Sequence, residues 1–356
     1  MSESKTFQEL RIGKVVARNR LVRAAAYERL GTTSHEATDE LVEYYRNLAA
    51  GGVGSVITSF CLVREDAHGY SRMLGAYDDS QVPGLAAIAT AIHEGGACAY
   101  LQLVFCGSGG KAAADGSAAP GPSTLVNPTT GVPAAEMDEA ELARMKADYV
   151  AAARRAKEAG FDGVEVHAAH GYLFSQFLSP DINKRIDCYG GDARGRAQFA
   201  IEVIDAVRAE LGEGYPVMLK LNSSDGREGG LTEQESLEAA CALAPHLDAI
   251  EVSGGGWSVA GRKGNHGLFA PYALELASRV DTPVILTGGN RLVAEMDELA
   301  EKGIAGFGIA RPLVSEPDLP RRWEQDPAYV PRCISCGKCF SLEECHCILD
   351  RKKAQA

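Results

Sequence analysis

The stretch Glu141–Tyr172, ELARMKADYVAAARRAKEAGFDGVEVHAAHGY, decides the fold. Glu141–Ala159 carries apolar residues at helical spacing, and the short apolar strand Gly163-Val164-Glu165-Val166 follows it. Polar chemistry starts where that strand stops, with His167, His170 and Tyr172. A helix feeding a buried strand tipped with titratable side chains is the repeating unit of a parallel barrel, whose strand ends face the active site. His167 and His170 can both donate a hydrogen bond to one substrate oxygen, and Tyr172 offers a weakly acidic proton beside them. Such a set suits reduction of a polarised double bond.

Outward from this unit, the same rhythm runs through the chain. Strand signals fall at Arg20–Ala24, Ser55–Thr58, Cys98–Leu103, Gly163–His167, Val217–Asn222, Ala249–Ser253, Val284–Thr287 and Gly306–Ile309. Helical periodicity lies between them at Thr38–Ala50, Leu85–His93, Gly195–Leu211, Glu233–Leu243 and Leu292–Lys302. Eight strand-then-helix units predict one α/β fold, a (β/α)8 TIM barrel over residues 1–330, with a short Cys-rich C-terminal extension at 331–356. Phe7–Asn19 alternates around Gly13-Lys14, the pattern of an N-terminal hairpin plugging the barrel's bottom. Two stretches break the rhythm. Gly107–Pro133 is expected to form a long loop over the site, and Ser253–Gly267, with Trp257, a second cover.

Composition narrows the class. The formal charge is −12 and the basic residues are scattered, which argues against a nucleic-acid partner and an anionic membrane. Apolar residues make up 46% without any run long enough to span a bilayer. The start, MSESKTFQEL, lacks the charged-then-apolar pattern of a signal peptide, so a cytoplasmic location is expected. The expected partner is a small molecule; a homo-oligomer is compatible with the sequence.

Two strand ends look like a phosphate cradle. One reads Thr287-Gly288-Gly289-Asn290-Arg291 and the other Gly308-Ile309-Ala310-Arg311-Pro312. Glycines let backbone N–H groups approach an anion, a helix N-terminus adds positive potential, and Arg311 adds a charged fork. Tight strand-to-helix turns alone would also explain the glycines. Lys220 lies in an otherwise apolar strand, where an inward ammonium needs an anionic partner. Gln102 sits at the matching end of the third strand, its amide able to donate and accept at once.

Together these motifs resemble the old yellow enzyme family of FMN-dependent ene reductases, in which HAAHGYL, FLSP, N-x-R-x-D-x-YGG and a following Arg recur. The resemblance covers nearly the whole chain. It implies an FMN cofactor whose phosphate is held by the two glycine loops through Gly288, Gly289, Asn290, Gly308, Ala310 and Arg311. It places Lys220 near flavin N1 and the C2 oxygen, Gln102 at the pyrimidine edge, and Ala25 and Ala26 against the ring through their backbone. It implies a ping-pong reaction in which NAD(P)H reduces FMN and an α,β-unsaturated carbonyl then reoxidises it. His167 and His170 would hold the carbonyl oxygen and Tyr172 would protonate the α-carbon, with Tyr27 and Phe105 as further substrate contacts. The chain departs from the family at Tyr27, which replaces a residue that tunes the flavin, and at Phe105–Ser108, which lacks a His and an Arg. Asn183, Arg185, Asp187, Tyr189 and Arg196 read as braces of a fixed turn. No Gly-x-Gly-x-x-Gly follows a strand, so nicotinamide is expected to stack on the flavin.

Five of the ten cysteines crowd into Cys333–Cys347. Cys333, Cys336 and Cys339 at C-x-x-C steps, with Cys347 as fourth ligand, suit a 4Fe-4S cluster or zinc; an empty remnant is the alternative. A flavin and iron–sulfur dehydrogenase subunit that hands electrons to a partner therefore stands as a rival reading, and a non-catalytic flavin- or metal-binding redox sensor as another.

Overall fold

Eight parallel strands close on themselves: β1 (Leu21–Arg23), β2 (Ser55–Ile57), β3 (Cys98–Val104), β4 (Gly163–Ala168), β5 (Val217–Asn222), β6 (Ala249–Ser253), β7 (Val284–Thr287) and β8 (Gly306–Ile309). Each pairs with its neighbours in sequence, β8 pairs with β1, and β4 pairs with β3, which seals the ring. The computed structural model describes residues 4–254, 266–340 and 345–351. Every residue of β4, β5 and β6 is buried, as expected of strands covered on both faces. Closure leaves no barrel edge to pair with another chain.

The helices wrap the outside, and their starts are written in short polar side chains. Thr38, Asp138, Asp192 and Thr232 each accept a hydrogen bond from a first-turn amide of Asp39–Ala50, Glu139–Glu158, Ala193–Leu211 and Glu233–Leu243. Thr232 also exchanges with Glu235 in a capping box. At the other end of the barrel, strands Leu10–Ile12 and Val15–Ala17 form the expected hairpin. Its Leu10, Ile12 and Ala17 pack with Val22, Ile57, Tyr100, Met218, Ala249 and Ile285 in one buried cluster. The hairpin thus plugs the bottom and leaves the strand ends as the mouth.

One stretch folds differently from the expectation. Within 107–133 the chain makes strands Ala119–Gly121 and Leu125–Val126, and both pair with Pro133–Glu136. Asn127 Nδ2 donates to Ser108 Oγ at 3.0 Å, and Ser108 Oγ donates to Gln176 Oε1 at 3.0 Å. These bonds staple the segment to the barrel's flank, and none of its residues lines the mouth. The Gly- and Pro-rich composition hid strands only two to four residues long. The second expected cover, with Trp257, lies for the most part outside the described residues.

The motif after β4 braces as expected. Asn183 Nδ2 donates to the carbonyls of Phe177 and Tyr189, Arg185 to that of Met137, and Arg196 to those of Leu178 and Gly191. Among the described residues, no helix is long and apolar enough to cross a membrane. The Cys-rich extension lies against the barrel: Arg291 donates to the Cys333 carbonyl at 2.7 Å, and the Cys345 N–H donates to the Glu28 carbonyl at 2.9 Å.

Candidate active site

The mouth holds a cavity of about 350 Å³. Its walls include Ala25, Ala26 and Tyr27 after β1, Gln102 on β3, His167 and His170 at β4, Lys220 on β5, and the loops after β7 and β8. The structure brings these expected residues onto one wall; Phe105 and Tyr172 are not on it.

His167 is 2% exposed, and its Nδ1 accepts the Ala169 N–H at 3.2 Å. That bond fixes the tautomer: the ring proton sits on Nε2. Burial, then His170 and Lys220, holds its pKa well below the ordinary histidine range, so the ring is a neutral donor. His170 has a φ of 59°, a conformation few non-glycine residues adopt. Its N–H donates to Asn222 Oδ1 at 3.1 Å, and its Nε2 lies 3.0 Å from Ser253 Oγ. Burial and Lys220 push its pKa down to about 3.

Tyr172 stands one layer back, its ring edge-on to His167 at 4.9 Å and tilted against Phe60 at 5.6 Å. Burial raises its pKa well above the phenol range, with the Tyr70 phenol close by. Tyr70 in turn donates to the Gly109 carbonyl at 3.2 Å. Phe105 is fully buried beneath the Arg64 guanidinium, 4.6 Å away, so no substrate contact falls to it here. Tyr27 is on the wall; its hydroxyl donates to the Ser71 carbonyl, and Arg29 lies 4.8 Å from its ring centroid.

At the cavity's other end two arginines converge. Arg291 donates to Ser335 Oγ and Arg311 to the Ser335 carbonyl at 3.5 Å, and both line the wall. Gly288 and Gly289 have φ of 133° and 85°, where a side chain is strained. Gly308 is a glycine for another reason: a Cβ there would lie 1.7 Å from Thr287 Oγ1. The helix after β8, Arg311–Ser315, has only five residues, so the positive potential comes from the guanidinium groups rather than a helix dipole. Asn290 ties the two loops to the sheet through the Leu286 and Gly308 carbonyls at 2.6 and 3.0 Å. Its Oδ1 and the Gln102 Oε1 are buried without a hydrogen-bond partner.

Lys220 does find an anion within the protein. Its Nζ is 2.8 Å from Glu251 Oε1, both side chains being buried. Glu165 and Glu251 were the residues missed, each a lone carboxylate in an apolar strand; the signal that flagged Lys220 was equally present for them. Thr287 and Arg291, at the two ends of the glycine loop after β7, line the cavity as well, and Phe60, Phe269, Ser253 and Ser335 are brought there by loops and strand ends with no local signature.

Cys333, Cys336, Cys339 and Cys347 line one small neighbouring cavity of about 20 Å³ with Arg311. Yet among the described residues no three His, Cys, Asp or Glu side chains are arranged to hold a metal. Cys339 instead bonds Cys345, whose thiol this contact and burial raise. The donors are present without the ligand geometry.

Two guanidinium groups, the Gln102 amide and the neutral imidazoles of His167 and His170 share the wall of one barrel mouth. Residues 5–328 match the NADH:flavin oxidoreductase / NADH oxidase family, and the chain belongs to it. It is a family of FMN- and NAD(P)H-dependent oxidoreductases that includes the old yellow enzymes. The chain is 35% identical over 341 residues to a metal reductase of Desulforamulus reducens, covering 93% of this chain and 50% of that protein. It is 30% identical over 372 residues to a 4,4'-dithiodibutanoate disulfide reductase of Rhodococcus erythropolis, covering 94% and 92%. An old yellow enzyme homologue from Zymomonas mobilis superposes with a TM-score of 0.79 at 26% identity, covering 91% of this chain and 94% of that one. The chain thus spans about half the length of the metal reductase and nearly the full length of the other two.

Proposed function

We propose that the protein reduces the C=C bond of an α,β-unsaturated carbonyl compound, using NAD(P)H through FMN bound in the barrel mouth. The observation that carries the reading is His167, held by the Ala169 N–H as a neutral Nε2–H donor on the cavity wall. A donor fixed in this way stabilises negative charge on a carbonyl oxygen without reorganising. The walls fit the cofactor: the unpartnered Gln102 Oε1 is placed to accept a ligand N–H, and Arg291 and Arg311 to meet a phosphate. Ala25 and Ala26 present backbone and methyls to an aromatic ring, and Gly288, Gly289, Asn290, Gly308 and Ala310 form the loops around the phosphate end.

Bound FMN would supply hydride to the β-carbon after taking it from nicotinamide. His167 and His170 hold the carbonyl oxygen, His170 being oriented by Asn222 and Ser253. Tyr172, packed against Phe60 and His167, delivers the proton to the α-carbon. The neighbouring Tyr70 is itself held by its hydroxyl on the Gly109 carbonyl. Tyr27 bounds the substrate side.

The test is anaerobic: the photoreduced, FMN-loaded protein is mixed with a panel of enones, disulfides and metal ions, and return of the oxidised flavin spectrum is followed. Rapid return with at least one enone supports the reading; a panel in which only disulfides or metal ions restore the colour would overturn it. The four cysteines beside Arg311 favour a second reading, an electron-transferring subunit with an iron–sulfur cluster at Cys333, Cys336, Cys339 and Cys347. Stoichiometric iron with broad absorbance beyond the flavin bands in anaerobically purified protein supports that; zinc, which has no redox chemistry, or the absence of iron refutes it.

A further inference from the structure

At the cavity floor, five adjacent strands each contribute one polar side chain to a single row, buried except at half-buried Thr287. Gln102 on β3 pairs in register with Glu165 on β4, and Lys220 on β5 with Glu251 on β6. The side chains are joined as well. Gln102 Nε2 donates to Glu165 Oε2 at 2.5 Å, Lys220 Nζ to Glu251 Oε1 at 2.8 Å, and Thr287 Oγ1 on β7 to the same Glu251 oxygen at 2.6 Å. Gln102, Lys220 and Thr287 reach the cavity wall, while Glu165 and Glu251 lie under it, both fully buried.

The middle of the row contains a chemical contradiction if both carboxyls are ionised. Glu165 Oε1 and Glu251 Oε2 are buried and have no donor among the surrounding groups. Two ionised carboxylates in this buried row would face the single ammonium of Lys220 and leave one negative charge uncompensated. Ionised carboxylates are acceptors only, so a proton on one of them removes that charge and supplies the missing donor. Environment decides which. Glu251 has Lys220 and Thr287 on its Oε1, both favouring the anion, whereas Glu165 has only an amide donor. Burial and the neighbouring Glu251 accordingly raise the Glu165 pKa well above the carboxylate range; Glu251, despite burial, is lowered by Lys220.

We propose that Glu165 and Glu251 act as one carboxyl pair carrying a single negative charge, and that this charge cancels Lys220, so that Glu251 sets the electrical neutrality of the floor on which the flavin lies. The proposal rests on FMN occupying this cavity. It changes the part that Lys220 plays. An uncompensated ammonium would favour the anionic, reduced flavin strongly; one tied to Glu251 favours it little. Glu251 is then a potential-setting residue that acts through Lys220 without touching the cofactor.

Two substitutions of equal shape separate the two carboxyls. Glu251→Gln, made together with Glu165→Gln so that no second carboxyl can take up the charge, removes the negative charge and should make the protein hold reduced FMN about tenfold more tightly, relative to oxidised FMN, than the wild type does, read as a rise in midpoint potential. Glu165→Gln replaces one neutral donor by another, whose amide still accepts from Gln102 and donates to Glu251, and should leave the potential where it was. A second double variant, Lys220→Met with Glu251→Gln, removes both charges together and should return the potential to near the wild-type value; it also serves if the protein carrying both Gln substitutions does not fold around an unpaired lysine. Infrared spectroscopy of the flavin-free protein at neutral pH should show the carbonyl stretch of a protonated carboxyl that disappears in Glu165→Gln. A rise in potential for Glu165→Gln alone, no rise for the folded protein carrying both Glu165→Gln and Glu251→Gln, a Lys220→Met, Glu251→Gln variant far from the wild-type potential, or no such stretch would each overturn the proposal. Failure of the wild-type protein to quench added FMN fluorescence would instead remove the flavin reading, and the infrared arm alone would then decide the charge of the pair.

Discussion

At the scale of single residues, the site separates a donor on the wall from a donor behind it. His167 is locked as Nε2–H by the Ala169 amide, and its neutral state is set by burial. His167→Leu should slow reoxidation of the reduced flavin by enone about 10²–10³-fold, a loss of ~3 kcal/mol, since one preorganised oxyanion donor is gone. Burial lowers the pKa, so the neutral donor persists as pH falls through the ordinary value of 6.5. The rate of that step should therefore stay level from pH 8 down to about 5.5, where an exposed imidazole would have gained a proton. Tyr172→Phe should slow the same step about 10²-fold and leave flavin reduction by NAD(P)H untouched. Stopped-flow measurement of the two half-reactions checks both variants; an unchanged Tyr172→Phe would assign the proton to solvent. His167, His170, Lys220 and Gln102 were legible because polar residues interrupt apolar strands at their ends. Glu165 and Glu251 had the same mark and passed unread as parts of apolar runs, whereas Phe60 and Phe269 owe their place to tertiary packing alone.

At the scale of elements, the bounds of β5 through β8 follow the sequence expectation because each is a continuous buried run closed by a turn. The 107–133 segment did not follow it, since strands of two to four residues held by side-chain staples have no periodicity to detect. The glycines after β7 and β8 show how one residue type serves two purposes. Gly288 and Gly289 are needed for backbone conformation, but Gly308 makes room for Thr287, which holds Glu251. Gly308→Ala should thus force Thr287 aside and cost about 1–3 kcal/mol of stability, as overpacking of a filled interior does. Thermal or denaturant unfolding of the FMN-free variant measures it; a melting temperature equal to wild type would show that Thr287 moves freely and is no fixed support of the buried row.

At the scale of the whole molecule, the hairpin closes one end of the barrel and the Cys-rich extension walls the other. Ser335 and Gly337 line the large cavity, and the same loop lines the small thiol-rich one, with Arg311 shared between them. The extension also fixes a guanidinium: Arg291 bonds the Cys333 carbonyl and the Ser335 hydroxyl. A chain ended after Arg332 keeps the Arg332 bonds to Ser315 and the Trp323 bond to the Tyr329 carbonyl, so the barrel should still fold. It loses both partners of Arg291 and part of the wall at the phosphate end. Its affinity for FMN should fall about tenfold while its affinity for riboflavin, which has no phosphate, changes little, because the lost order lies at the cation pair and charge-assisted bonds carry the difference. Fluorescence titration with the two flavins decides the matter. Equal losses for both would place the extension's influence on the ring instead, and unchanged affinity for both would make the thiol loop a separate structure that merely rests on the barrel.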